Sequence, residues 1–160
     1  MTFLRPMTSS EYETWLEEAI PAYAADKVAS GQWSEEASID LARKQHDELL
    51  PLGLQTPDHH FYSIVDSDAR VVGMLWFGVK TQFSSPVAFV FNIQIAPEHR
   101  RQGHAFHAFR ALETEVRKLG LSGVSLHVFG HNTSAQALYS KLGFQTTNIN
   151  LFKAVTAVGT

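Results

Sequence analysis

The sequence contains no cysteine. Disulfide bonds, thiolate zinc sites and a cysteine nucleophile are therefore excluded, and we expect a cytoplasmic location. The sequence also lacks a hydrophobic run long enough to cross a membrane, and it shows neither a signal peptide nor a lipid anchor. Thirteen basic and sixteen acidic residues give a formal net charge of -3, which favours neither nucleic acid nor an anionic membrane as a partner.

Motifs of several common enzyme classes are missing as well. There is no phosphate loop ending in Gly-Lys-Ser or Gly-Lys-Thr and no dinucleotide-binding Gly-x-Gly-x-x-Gly, which disfavours a kinase or a dehydrogenase. Ser125 and Ser134 lack the flanking glycines of an esterase nucleophile. Several histidines lie close together in the sequence, but no carboxylate or cysteine joins them in a ligand pattern, so we expect surface or turn histidines and no metal site. These are His99, His104, His107 and His131.

The residues that are present fit one ordinary globular domain. Hydrophobic residues make up 44% of the 160 residues, and eleven phenylalanines and three tryptophans are available for a core. No internal repeat, low-complexity tract or linker divides the chain. We therefore expect a single domain over residues 1–160, with a helical region at 1–60 and a core at 61–153.

Hydrophobic periodicity changes near residue 60. Before that point, an extended start at residues 2–5 leads to a helix opened by the capping box of Thr8 and Glu11, which Pro21 should kink or interrupt. A second helix should run from Ser34 to Leu50. Beyond it, strands rich in β-branched and aromatic residues are predicted at 61–65, 71–79 and 87–95, consecutive and antiparallel.

The last third of the chain alternates between helix and strand patterns. A helix begins at about Gly103, with one apolar face and Gly120 at its C-terminal cap. A strand at 123–128, a helix at 132–142 and a last strand or pair of strands at 144–153 follow. The element order predicts an α/β fold with a mixed, mostly antiparallel central sheet flanked by helices.

The turn into the third helix has the features of an anion site. The strand that ends at Ile95 and Pro97 leads through a basic segment into Gly103, where a helix begins. The first N–H groups of a helix have no partners within it and lie at the positive end of its dipole. Gly103 allows a phosphate to approach the backbone, and Arg100 and Arg101 add positive charge.

Two motifs in this order resemble the GNAT superfamily of acetyl-CoA-dependent N-acetyltransferases. Arg100, Gly103 and Ala105 fill the family's cofactor pattern of Arg or Gln, two variable residues, Gly, one variable residue and Gly or Ala. After the strand at 123–128, Asn132 and the segment 141–144, Lys-Leu-Gly-Phe, are similar to the family's closing motif. The resemblance covers residues 61–153.

The resemblance implies that acetyl-CoA binds where the strand ending at Ile95 separates from the strand carrying His127. Backbone N–H groups at residues 102–105 would hold the pyrophosphate, residues 94–96 and Asn132 would bind the pantetheine arm, and Tyr139 would protonate the departing thiolate. Tyr139 as a half-buried core aromatic and Asn132 as a helix cap are the structural alternatives. The implied cofactor-binding residues are Gln94, Ile95, Ala96, Arg100, Arg101, Gln102, Gly103, His104, Ala105, Asn132, Ala135 and Tyr139.

A general base is less well defined. Family members commonly use a glutamate on a central strand, but Asn92 and Gln94 occupy the polar positions here, and neither accepts a proton at neutral pH. His127 on the next strand is the candidate catalytic base because its reference pKa is about 6.5. A structural histidine is the alternative, and no base is needed if the amine arrives neutral.

The implied function is acetyl transfer to an amine of an unidentified small molecule or peptide. A silent acyl-CoA-binding or regulatory module on the same fold is the alternative, and we expect a monomer or homodimer. The acceptor should lie between the N-terminal helices and the sheet, where aromatic, histidine and acidic side chains could attract a cation. These are Glu17, Glu18, Tyr23, Trp33, Glu35, Glu36, His59, His60 and Phe61.

Overall fold

The computed structural model describes residues 1–157. The strands are β1 (Phe3–Pro6), β2 (His59–Val65), β3 (Val71–Gln82), β4 (Ser85–Ile95) and β5 (Val124–Leu126). The helices are α1 (Ser9–Ala29), α2 (Glu35–Leu49), α3 (His104–Lys118) and α4 (Thr133–Lys141), with short 3-10 turns at Gly53–Gln55 and Pro97–His99. The chain forms two compact units, Met1–His127 and the chain from residue 128 onward.

The five strands form one open sheet in the order β1-β2-β3-β4-β5. The first four strands pair antiparallel, as predicted for the three central segments, and β5 joins β4 in parallel. Strand β3 is longer than its sequence pattern indicated, and β5 is shorter. The mixed, mostly antiparallel sheet predicted from the sequence is confirmed.

Helix α1 packs on one face of the sheet, and α2 packs against α1. The predicted capping box opens α1, with Thr8 and Glu11 each accepting the other's backbone N–H. Trp15 of α1 packs against Phe61 of β2 and Trp76 of β3 in a buried aromatic cluster. This cluster joins the helical layer to the sheet.

Helix α3 covers the other face. Because side chains alternate along a strand, Leu75 and Phe77 point away from the face that carries Trp76, and both are fully buried. Phe109 and Leu112 of α3 are also buried, and α3 contacts β1 and β4. The sheet therefore has helices on both faces, as expected.

The predicted interruption of the first helix at Pro21 is wrong, since α1 continues through it to Ala29. Proline removes one backbone hydrogen bond, here the bond to the carbonyl of Glu17. Both Pro21 and Glu17 are exposed, so water can hydrogen-bond that carbonyl. The buried residues Ile20 and Ala24 on either side hold the helix against its neighbours.

The prediction of a final strand or pair of strands at 144–153 is also wrong, because the described chain after Lys141 contains neither strand nor helix. Ile149, Leu151 and Phe152 have strand propensity but are 74%, 91% and 92% exposed. Strand propensity depends on a neighbouring strand, and these residues have none. Among residues 1–157, no helix is both long and apolar enough to cross a bilayer.

Candidate active site

Strands β4 and β5 separate along the candidate site. Their pairing covers only residues 88–90 of β4 and 124–126 of β5, while β4 continues to Ile95. Backbone groups on that side of residues 91–95 are therefore available to an extended ligand, apart from the Ile95 carbonyl, which accepts a hydrogen bond from Arg100 Nε. His127, the candidate base, directly follows β5 with an exposed side chain. The separation agrees with the predicted opening.

A β-bulge lies where the two strands part. Trp76 pairs with Asn92, whereas Phe77 pairs with Val90, so Phe91 is the extra residue in β4. The Phe91 ring stacks on Trp76 with centroids 4.6 Å apart. A Cβ on Gly78 would lie only 2.7 Å from the Phe91 ring. The bulge thus depends on a glycine in the neighbouring strand.

The end of β4 is fixed on one side and open on the other. Ala96 N–H donates to Val72 O at 2.8 Å, and Gly73 allows a close approach because a Cβ there would overlap the carbonyl oxygen of Gln94. Backbone groups alternate in direction along a strand, so those of Ile95 point away from β3. The Ile95 carbonyl accepts a hydrogen bond from Arg100 Nε at 2.9 Å.

The turn that follows β4 presents unpaired backbone N–H groups. Arg101 and Gly103 both have positive φ angles, 62° and 83°, a conformation that favours glycine and turns successive N–H groups outward. Gly103 is the N-cap of α3 and provides no side-chain cap. Thr8, Ser34 and Asn132 cap the other three α-helices. The start of α3 can therefore bind an anion through its backbone.

The side chain of His104, at the start of α3, contacts the edge of the sheet. His104 Nδ1 lies 3.0 Å from Thr2 Oγ1, a buried hydroxyl beside β1. This contact ties the first turn of α3 to the edge of the sheet. The predicted cofactor residues 94–96 and 100–105 thus form one continuous path from β4 to α3.

The remaining predicted cofactor residues lie on α4, in the second unit. Asn132 Oδ1 accepts the Ala135 N–H at 3.2 Å, so Asn132 caps the helix. Gln136 Nε2 donates to the carbonyl of Phe129 at 3.1 Å and anchors the preceding loop. Tyr139 is half-buried, and burial raises the pKa of its hydroxyl, which therefore remains protonated at neutral pH.

A cavity of about 650 Å³ opens between α1 and the ends of β3 and β4. Trp15 and Glu18 of α1, Met74 of β3, Gln94 and Arg100 contribute to its wall. Gln94, predicted as a cofactor residue, therefore borders the helical side of the sheet as well. The sequence suggested an acceptor region between helices and sheet, and this cavity lies there.

Most of the side chains expected to receive a cationic acceptor lie elsewhere. Phe61 is a core residue, and Tyr23 and Trp33 pack edge to face and are both covered by Lys27. Of the nine residues suggested in the sequence analysis, only Glu18 borders this cavity. The aromatic and acidic residues pointed to the region between the helices and the sheet, but packing determines which side chains border the cavity there.

Comparison with known proteins identifies the family. Residues 12–144 match the model of the acetyltransferase (GNAT) family. The chain belongs to this family. It is 35% identical over 150 residues to the uncharacterized N-acetyltransferase YycN of Bacillus subtilis (strain 168), covering 94% of this chain and 96% of YycN. Its identity to the uncharacterized N-acetyltransferase YdgE of the same strain is 29%, with the same coverage.

Solved structures show the same GNAT fold. The crystal structure of B. subtilis YycN superposes with a TM-score of 0.85 at 33% identity, covering 98% of this chain and 100% of YycN. AAC(6')-Iy, solved with the bisubstrate analog CoA-S-monomethyl-acetylneamine, has a TM-score of 0.61 at 18% identity, covering 98% of this chain and 99% of that chain. The second likeness shows the fold alone.

Three residues that shape this GNAT site were missed from the sequence. Gly73 and Gly78 interrupt a strand pattern, and an isolated glycine in a strand signals a bulge or a close backbone approach. The sequence therefore contained the signal for Gly73 and Gly78. Phe91 looked like any other apolar strand residue, and only the register of β3 against β4 identifies it as the bulged one.

Proposed function

We propose that this GNAT protein transfers an acetyl group from acetyl-CoA directly to an amine of a small molecule or peptide. The observation that carries the proposal is the continuous path from the unpaired edge of β4 to the uncapped start of α3. A CoA thioester presents an extended pantetheine arm followed by a pyrophosphate, and this path offers partners for both in that order. The CoA analog bound by AAC(6')-Iy, which shares the fold, supports the same donor.

The backbone of the turn holds the donor. N–H groups at Gln102, Gly103, His104 and Ala105 bind the pyrophosphate, and the charges of Arg100 and Arg101 add to the helix dipole. Residues 94–96 bind the pantetheine arm, with the Ile95 N–H as the hydrogen-bonding group, because the Ile95 carbonyl already accepts from Arg100 Nε. Asn132 and Ala135 of the second motif are assigned to the same arm by the family resemblance. These contacts orient the thioester for attack.

The chemistry is one acyl transfer with two proton movements. The lone pair of the amine attacks the thioester carbonyl carbon, a C–N bond forms and the C–S bond breaks. Tyr139 donates its hydroxyl proton to the departing thiolate, and burial, which raises the pKa of this hydroxyl, keeps the proton in place at neutral pH until it is transferred. The proton lost by the amine goes to water or to a base.

His127 is the proposed base of this GNAT protein. Its position directly after β5 and its exposed side chain suit a group that exchanges protons with solvent. His59 also lies near the bulge, but its Nδ1 accepts the indole N–H of Trp76 at 3.0 Å. The remaining ring proton is then on Nε2, so neither nitrogen of His59 has a free lone pair.

Turnover with a library of amines tests the proposal. Free CoA release and the mass of the acetylated product are followed for amines, aminoglycosides, polyamines, amino acids and peptides, with acetyl-CoA alone as the background. We expect amine-dependent CoA release. Acetyl-CoA binding without turnover would favour a silent acyl-CoA-binding module, and no CoA affinity at all would favour a plain interaction domain.

A further inference from the structure

His59, Trp76 and Phe91 form a group of three packed rings beside the bulge of β4. The indole Nε1 of Trp76 donates to Nδ1 of His59 at 3.0 Å. The Trp76 and Phe91 rings stack with centroids 4.6 Å apart. The centroid of the His59 ring lies 5.5 Å from that of Phe91 and 5.8 Å from that of Trp76. Each ring therefore packs against the other two.

Three neighbouring strands bring these rings together. His59 of β2 pairs with Gly78 of β3, and Trp76 lies two residues before Gly78 on the same face of the sheet. Phe91 is the extra residue of β4. Gly78 leaves room for both outer rings, since a Cβ there would lie 2.7 Å from Phe91 Cε2 and 3.2 Å from His59 Cε1. His59 is thus linked, through Trp76 and across Gly78, to the point where β4 separates from β5.

The hydrogen bond to His59 gives the Trp76 ring a direction that packing alone does not require. Within residues 1–157, the buried indole N–H of Trp15 has no hydrogen-bond partner, although Trp15 belongs to the same hydrophobic cluster as Trp76. Packing is therefore sufficient to hold an indole in this cluster. A hydrogen bond adds an orientational preference. For Trp76 that orientation sets the plane on which Phe91 stacks, with 18° between the two rings.

Only the neutral form of His59 can accept this hydrogen bond, because protonation places a hydrogen on Nδ1 and removes its lone pair. Burial lowers the pKa of His59 from its ordinary value of 6.5. Of the charged and titratable groups around the ring, Asp58 raises this pKa, whereas His60 of β2 and Lys80 of β3 lower it. The hydrogen bond is therefore present at neutral pH and is lost as the pH falls through the lowered pKa.

We propose that His59 is a positioning residue of the donor site: through Trp76 and Phe91 it holds the bulge that opens the edge of β4 to the pantetheine arm. The inference rests on the proposed function, which places that arm along the end of β4. In acid, protonated His59 releases Trp76, and Phe91 loses the plane on which it stacks. Acetyl-CoA affinity then depends on the charge of a histidine outside the donor path itself.

Calorimetric titration of acetyl-CoA from pH 8 to pH 5 tests the proposal with two substitutions of His59. His59→Asn keeps an acceptor oxygen but does not titrate, and His59→Leu removes the acceptor. At pH 8, His59→Leu should bind about two- to tenfold more weakly than the wild type, the range for one hydrogen bond, while His59→Asn should restore the affinity. As the pH falls, the wild type should lose a similar factor relative to His59→Asn.

His60→Asn is the matched control. His60 is the next residue of β2, burial also lowers its pKa, and its ring stacks on Phe77 on the opposite face of the sheet. Its pH profile should follow that of the wild type. The other histidines titrate equally in the wild type and in His59→Asn, so the difference between these two profiles isolates His59. This comparison stands even if His59→Leu does not fold.

The indole N–H signal of Trp76 in NMR reports the hydrogen bond without any donor, and Trp76→Phe assigns it by its loss. The signal should move with pH in the wild type and stay constant in His59→Asn. Separate pH profiles of acetyl-CoA affinity without turnover would support the inference and contradict acetyl transfer, whereas turnover with parallel profiles would do the reverse. A Trp76 signal that does not respond to pH in the wild type would also overturn the inference.

Discussion

At the scale of single residues, burial and neighbouring groups set which protons are available. Tyr139 is half-buried beside Phe144, with ring centroids 5.5 Å apart, and burial raises the pKa of its hydroxyl. A tyrosine that remains protonated can donate to a thiolate, but it cannot serve as a base at neutral pH. The role of acid assigned to Tyr139 therefore agrees with its surroundings.

Replacing Tyr139 by phenylalanine should separate catalysis from binding. Tyr139→Phe keeps the ring and removes the proton, so kcat should fall about ten- to a thousandfold while acetyl-CoA affinity changes little. Steady-state kinetics and calorimetry measure the two quantities. Tyr62→Phe is the matched control, because burial also raises the pKa of Tyr62, and its kcat should match the wild type. A kcat for Tyr139→Phe within twofold of the parent would show that Tyr139 only packs.

At the scale of elements, the bulge in β4 and the start of α1 each depend on one specific side-chain contact. The bulge rests on a stack of Phe61, Trp76 and Phe91, whose neighbouring centroids are 5.0 and 4.6 Å apart. Gly78 provides the space for the last ring. Any atom added at Gly78 must displace Phe91 and, with it, the strand that separates from β5.

Adding a methyl group at Gly78 should therefore be costly. Gly78→Ala places a Cβ 2.7 Å from Phe91 Cε2 and 3.2 Å from His59 Cε1, and we expect the free energy of unfolding to fall by about 1–3 kcal/mol. Denaturant unfolding measures it. Gly123→Ala is the control, since a Cβ there meets nothing within 4 Å and should change stability by no more than about 0.5 kcal/mol. Equal effects of the two substitutions would contradict the steric account of the bulge.

The start of α1 should lose stability in acid. The Arg5 side chain hydrogen-bonds Glu11 and lowers the pKa of Glu11 from 4.5 to about 2. The stabilisation is therefore complete above pH 4.5 and is lost as the pH falls from 4.5 to 2. Because the Arg5 side chain is 41% exposed, we expect Arg5→Gln to cost at most about 1 kcal/mol at pH 7. Urea unfolding of both proteins from pH 7 to pH 2 should show the difference shrinking, and a difference that is constant over this range would exclude the ion pair as its source.

Elements with local signals were predictable, and those that need distant partners were not. Thr8 and Ser34 marked two helix starts because a cap acts within one turn. The turn around Gly103 was recognisable for the same reason. The strand expected at 144–153 depended on a partner that the sequence does not name. The cavity beside α1 depends on the packing of α1 against β3 and β4, which no local pattern encodes.

At the scale of the whole molecule, the sheet places the open edge of β4, the start of α3 and the cavity beside α1 next to one another. Strands β1 to β4 form a continuous antiparallel surface, and β5 pairs in parallel with residues 88–90 of β4. The open edge of β4 faces the cleft, and its end leads directly into the uncapped start of α3. The cavity on the other side of that strand end borders α1. The proposed donor path and the cavity beside α1 therefore share the residues at 94–100.

Calorimetric titration of acetyl-CoA tests the central claim most directly. The wild type should bind, and Gly103→Glu should lose binding because it places a carboxylate at the proposed phosphate turn. Gly120→Glu introduces the same side chain at a similar positive φ, 72°, at the other end of α3, so it controls for charge and backbone strain and should bind like the wild type. Circular dichroism establishes that each variant is folded. Unchanged acetyl-CoA affinity in folded Gly103→Glu, or no affinity in the wild type, would contradict the account.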